Sequence, residues 1–147
     1  MSVTDGKVAL YQRHCQRVVK DAERLGLLLD EQVIARRITE EARLLGDGVL
    51  KLLVSAGEGG RGYARPESIA PTLHFTHAGM PIHYAAQQQE GITLGCATLR
   101  LAFQPALAGI KHLNRLEQVL IKRELVQQDV QDMIVLDANE HVAEATA

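Results

Sequence analysis

Between Phe103 and Gly109 the chain changes character, and that change constrains the fold most. Upstream, Leu99, Leu101 and Phe103 alternate with Thr98, Arg100 and Ala102, so successive side chains face opposite ways along an extended segment. Pro105 and Gly109 then interrupt the pattern, and a helical spacing follows. The expected layout is an α+β domain over residues 1–103, a link at 104–110, and the start of a second domain over 111–147. With 147 residues, 46% of them hydrophobic, there is enough apolar side chain for a real core.

Charge and cysteine usage narrow the function classes. A formal net charge of −2 argues against a general nucleic-acid binder or a protein drawn to anionic membranes. No Trp is present and aromatic residues are few, so a base-stacking surface is not expected either. No apolar run approaches the length of a membrane span, and Met1-Ser2-Val3-Thr4-Asp5 lacks the basic-then-apolar order of a signal peptide. Cys15 and Cys96 are too isolated for a disulfide framework. A reducing, cytoplasmic setting is the default. His74, His77 and His83 have no carboxylate or thiol clustered with them at zinc spacing, so no metal is expected.

Thr4-Asp5-Gly6-Lys7 carries the Asp-Gly signal of a two-residue hairpin. Its incoming strand has only Met1 to Thr4, which reads as a chain that starts late. Residues 12–28 form an amphipathic helix with Cys15, Val18, Val19, Ala22 and Leu25 on one face. Asp30 caps a second helix that buries Ile34, Ile38, Ala42 and Leu45 and stops at Gly46. Val49 to Ser55 reads as a largely buried strand, and Thr72 to Thr76 as a half-exposed one. Tyr84 to Glu90 is a polar, Gln-rich connector, and Gly91 to Ala97 a strand in which Cys96 is a buried small hydrophobe. The helix after Lys111 is expected to bury Leu113, Leu116, Leu120 and Val119. Asp132 to Leu136, a turn at Asp137-Ala138-Asn139, and His141 to Glu144 form a strand–turn–strand.

Four places could carry chemistry. Lys111 follows the Pro/Gly link at the mouth of the expected helix. The positive helix end, His112 when charged, and Arg115 all disfavour an ammonium there, which would make the amine a nucleophile or base. Spacing alone favours a surface lysine at a helix start. Arg17 on the first helix, by itself, reads as one solvated charge among several. The loop Ala56 to Tyr63 has four glycines, yet lacks both the Walker ending and the helix a dinucleotide fingerprint needs. By itself it is a mobile surface loop. Glu144, unaided, is a solvated residue near the end of the sequence.

The residues themselves resemble a known family. Ala108-Gly109-Ile110-Lys111-His112-Leu113-Asn114-Arg115-Leu116-Glu117 is similar to the lysine segment of the aminodeoxychorismate lyases. These belong to the fold-type IV enzymes that use pyridoxal 5'-phosphate (PLP), with the branched-chain and D-amino-acid aminotransferases. His14-Cys15-Gln16-Arg17 resembles the family's His-x-x-Arg motif, and Gly59-Gly60-Arg61-Gly62-Tyr63 its glycine loop. The strand–turn–strand ending at Glu144 resembles the segment that carries the family glutamate, with Ala143 as a departure just before it. Ala56 is another, where the lyase carries an arginine.

The resemblance implies a small two-layer α/β domain joined to the beginning of a larger PLP-binding domain. It implies that Lys111 forms the Schiff base, that Arg17 reaches the cofactor phosphate, and that Glu144 pairs with the ring nitrogen. Arg61 and Tyr63 would hold a substrate carboxylate. The implied reaction converts 4-amino-4-deoxychorismate to 4-aminobenzoate and pyruvate, toward folate, in a homodimeric enzyme. A fold-type IV aminotransferase and a non-catalytic remnant are the alternatives. The similarity covers the middle half of a family-length enzyme, so an incomplete chain with weak PLP binding and little activity is expected.

Overall fold

Asp5 and Gly6 both take positive φ, 50° and 68°, as a two-residue hairpin of primed type demands. The turn joins β1 (Ser2–Thr4) to β2 (Lys7–Val8), with Val3 opposite Val8. The chain then enters α1 (Tyr11–Arg24) through Leu10, which sits in the left-handed region at φ 54° with no capping side-chain bond. That conformation costs a non-glycine residue about 1–2 kcal/mol, and Leu10 is exposed, so little packing repays it. Leu10→Gly is therefore expected to raise the melting temperature by roughly 2–4 °C in a thermal scan.

The computed structural model describes residues 1–146. They divide into two compact units, Met1–Pro81 and Ile82 onward. In the first, Asp30 caps α2 (Glu31–Leu45) as expected, accepting from the Gln32 and Val33 amides at 2.8 and 3.3 Å. Gly46, at φ 72°, ends the helix. The apolar spacing of α2 then delivers Ile34, Ile38 and Ala42 to a core shared with Val3, Cys15 and Leu50. That core lies against a four-stranded antiparallel sheet ordered β2-β1-β3-β4, where β3 is Gly48–Ser55 and β4 is Thr72–Ala78. β3 is less buried than its apolar run implies: only Gly48 and Leu50 are fully covered. A Cβ on Gly48 would sit 2.4 Å from the Ala78 carbonyl oxygen, so the β3–β4 approach excludes any larger residue.

The second unit begins before the expected boundary. The reason is a long-range pairing: β5 (Leu94–Cys96) runs parallel to β6 (Asp132–Leu136), with Leu94 opposite Asp132. That pairing ties 94–96 to 132–134 and leaves the Pro/Gly link at 104–110 inside the unit. β7 (Val142–Ala145) completes a sheet ordered β5-β6-β7. Tyr84–Glu90, expected as a connector, is a short helix, α3. Cys96 is exposed and its neighbour Ala97 takes the buried position, so alternation along β5 is offset by one from the expectation.

α4 (Leu116–Leu125) departs most from its sequence pattern. Leu113, Leu116, Val119 and Leu120 are all exposed, and only Ile121 of the helix is fully buried, in a core with Ala97, Met133 and Val135. The inner face is partly acidic. Glu124 accepts from the Thr98 amide at 2.8 Å and the Thr98 hydroxyl at 2.6 Å, while Glu117 accepts from the Ala102 amide at 2.9 Å. These carboxylates satisfy backbone donors of the 98–102 segment that the sheet leaves unpaired. Their spacing with Ile121 fixes which side of α4 turns inward.

Buried Asp132 ties the start of β6 to the residue that follows β7. Its Oδ1 accepts from the Met133 amide at 2.8 Å, from the Thr146 amide at 3.0 Å, and from the Thr146 hydroxyl. Burial alone would raise its pKa. The bonds from the Thr146 hydroxyl and the Met133 and Thr146 amides outweigh burial and hold it below the ordinary aspartate value. A depressed folded-state pKa stabilises above the unfolded value and is lost as pH falls through the folded one. Acid titration should therefore loosen β7 below about pH 4, and Asp132→Asn should flatten that part of a stability-against-pH curve.

Candidate functional site

The residues singled out in the sequence fall in both units. Arg17 lies on the exposed side of α1, opposite buried Cys15 and Ala22. Its Nη2 donates to His14 Nδ1 at 3.2 Å, one helical turn back. The bond constrains a long side chain that would otherwise sample many rotamers.

Arg61 and Tyr63 sit in the loop between β3 and β4, both exposed. The loop is held at more than its two ends. Gly57, at φ 80°, brings the backbone so close to Ala70 that a Cβ would meet its carbonyl oxygen at 2.6 Å. Arg65 donates to the Leu25 carbonyl at the C-terminal end of α1. A glycine loop read from sequence as mobile is thus tied at its neck and at Arg65.

In the second unit, Lys111 is exposed and lies five residues ahead of α4, which starts at Leu116. The segment between is irregular. Lys111 therefore does not stand at the mouth of the helix, where the sequence pattern placed it. What the segment does bring near is a carboxylate. β7 exposes Val142, Ala143 and Ala145 and turns only Glu144 partly inward, opposite Val135 of β6. Glu144 Oε1 accepts from Gln118 Nε2 at 2.8 Å, and Glu144 Oε2 lies 3.7 Å from Arg115 Nη1. Arg115 is itself steadied by donating from Nε to the His112 carbonyl at 3.2 Å.

The structure thus links the Lys111 segment to Glu144 through Arg115 and Gln118. Neither connecting residue was picked from sequence as a holder of Glu144. In sequence they stand three residues apart, a helical spacing that gives no hint of a partner on a later strand.

Two buried polar side-chain atoms have no hydrogen-bond partner among the described residues, His112 Nδ1 and Gln118 Oε1. One belongs to the neighbour of Lys111 and the other to the residue holding Glu144. Unsatisfied buried groups are rare in folded chains. By their chemistry, the Lys111 amine suits an aldehyde and the Glu144 carboxylate held by Gln118 suits a protonated ring nitrogen. Among the described residues, no three His, Cys, Asp or Glu side chains gather as a metal site.

Comparisons with known proteins agree on kinship. The chain is 41% identical over 97 residues to an aminodeoxychorismate lyase of Vibrio harveyi, a stretch covering 66% of this chain and 36% of that protein. Its structure matches that of 4-amino-4-deoxychorismate lyase from Pseudomonas aeruginosa at a TM-score of 0.93 and 38% identity, over 99% of this chain and 54% of the other. A hypothetical aminotransferase from Mycobacterium tuberculosis, in a PLP-bound form, matches at a TM-score of 0.78 and 22% identity, over 99% of this chain and 53% of that one. That last likeness is one of fold. The chain spans about half the length of the solved lyase. The model of the amino-transferase class IV family matches residues 1–147, and the chain belongs to that family, with the mixed helix-and-sheet fold of the fold-type IV PLP enzymes.

Proposed function

We propose that this chain is the part of a PLP-dependent lyase that carries its anchoring lysine, and that the enzyme converts 4-amino-4-deoxychorismate to 4-aminobenzoate and pyruvate. The observation that carries the reading is the link from the Lys111 segment to Glu144 through Gln118 and Arg115. The 41% identity to an aminodeoxychorismate lyase supports the substrate class.

PLP, when bound, supplies an electron sink for charge that develops on the substrate. The chain's own groups have separate tasks. Lys111 Nζ would hold the cofactor by its aldehyde carbon and would take the proton whose loss makes the product ring aromatic. Glu144 presents a carboxylate to the ring nitrogen and favours its protonated form. Arg17 offers the phosphate a guanidinium fork that stays charged at any working pH. Arg61 and Tyr63 orient a substrate carboxylate from a loop tied at Gly57 and Arg65.

A homodimer in the cytoplasm is part of this reading. The exposed Leu113, Leu116, Val119 and Leu120 give such an assembly apolar surface to cover, and both cysteines are free thiols. Among the described residues no helix is long and apolar enough to cross a membrane.

The deciding assay incubates the chain with PLP and 4-amino-4-deoxychorismate and measures pyruvate without any added amino acid. Pyruvate release supports the lyase. Formation of pyridoxamine phosphate and a keto acid from an amino acid, with no pyruvate from the chorismate derivative, would replace the lyase by an aminotransferase.

A further inference from the structure

We propose that Gln118 is the positioning residue for Glu144: its amide fixes the carboxylate so that the remaining lone pairs face a protonated ring nitrogen. The inference rests on the reading that Glu144 meets the PLP ring. Three features of the structure carry it.

The first is polarity. Gln118 Nε2 lies 2.8 Å from Glu144 Oε1. A carboxylate only accepts hydrogen bonds, so the amide nitrogen must be the atom facing it. Turned over, the amide would set oxygen against oxygen.

The second is the state of the other amide atom. Gln118 Oε1 is buried without a partner among the described residues. A buried acceptor left unpaired is unfavourable. An apolar side chain of the same length would fill the space without that cost. A glutamine held this way is explained by the bond that its nitrogen makes.

The third is the division of labour around Glu144. Arg115 approaches the opposite oxygen at 3.7 Å, beyond hydrogen-bond distance, from a side chain that is 37% exposed. Ion pairs of that exposure are weak. Gln118 is uncharged, so it restrains the carboxylate without competing for its charge.

The test compares two ligands, PLP and its 1-deaza analogue, in which the ring nitrogen is a carbon. Dissociation constants are measured by absorbance titration for the wild-type chain, Gln118→Met, Glu144→Gln and the double variant. Gln118→Met keeps length and helix propensity. Circular dichroism and thermal melting check each fold. Gln118→Met is expected to weaken PLP binding about tenfold, the weight of one charge-assisted hydrogen bond, and to leave the deaza analogue unchanged. In the Glu144→Gln background it should cause no further loss. Gln118→Glu, which sets like charges together, should weaken PLP more than Gln118→Met and serves if the methionine variant misfolds.

Equal losses for both ligands would show that Gln118 only packs, and would overturn the inference. So would a loss that adds in full to that of Glu144→Gln. If Glu144→Gln weakens PLP binding and Gln118→Met does not, the positioning role fails while the Glu144 reading stands. If Glu144→Gln leaves PLP binding unchanged, or the wild-type chain shows no saturable binding, both fall.

Discussion

Lys111→Ala is expected to abolish labelling at this position when the chain is mixed with PLP, reduced with borohydride and mapped by mass spectrometry. Whatever label the wild type takes should fall on Lys111 alone, as expected of a single reactive amine. The prediction is sharp because the residue is exposed and lies outside regular structure. Substitutions at such positions usually change stability by less than about 0.5 kcal/mol, so the melting curve should hardly move. Pyruvate release should fall by at least about 100-fold, since the same amine is assigned the proton transfer. Labelling spread over many lysines in the wild type would show that Lys111 has no special reactivity. Intact pyruvate release by Lys111→Ala would remove it from the chemistry altogether.

Ile38→Ala should have the largest effect on folding of the first unit. Ile38 is fully buried, packed with Val3, Ile34, Ala42 and Leu50 between α2 and the sheet. Losing most of such a side chain costs the transfer of the lost methylenes plus the cavity left behind, about 2–5 kcal/mol. Whole domains are stable by only about 5–15 kcal/mol, so the variant should lose a large share of its margin. Urea unfolding followed by circular dichroism measures it. A shift under about 1 kcal/mol would mean that neighbouring side chains collapse into the gap, and that this core is less rigid than its packing implies.

What could be read from the sequence divides by the range of the interactions involved. The Asp5-Gly6 turn, the Asp30 cap and the Gly46 stop were legible because each is set by a few neighbouring residues. So were Ile34, Ile38 and Ala42, because one helix faces one core. The unit boundary was not, because a parallel pairing decides it, between strands separated by a long stretch of chain that includes α4. The facing of α4 was misread for a related reason. Hydrophobic periodicity assumes that apolar residues point inward, whereas Glu117 and Glu124 turn inward to serve backbone amides of a segment not regular enough to satisfy its own. At the candidate site, Lys111, Arg17, Arg61, Tyr63 and Glu144 were named from the family resemblance. Gln118, and the tie of Arg115 to Glu144, come only with the register of β7, which turns Glu144 toward them.

The acidic inner face of α4 has a consequence for how this protein would tolerate change. In most surface helices, glutamates are the positions that drift freely and leucines those that cannot. Here the usual ranking is reversed. A residue-by-residue mutational scan should find Glu117 and Glu124 intolerant, because each satisfies a main-chain donor in the 98–102 segment. Leu116 and Val119 should accept polar replacements without harm to the fold, and any penalty there should vary with protein concentration.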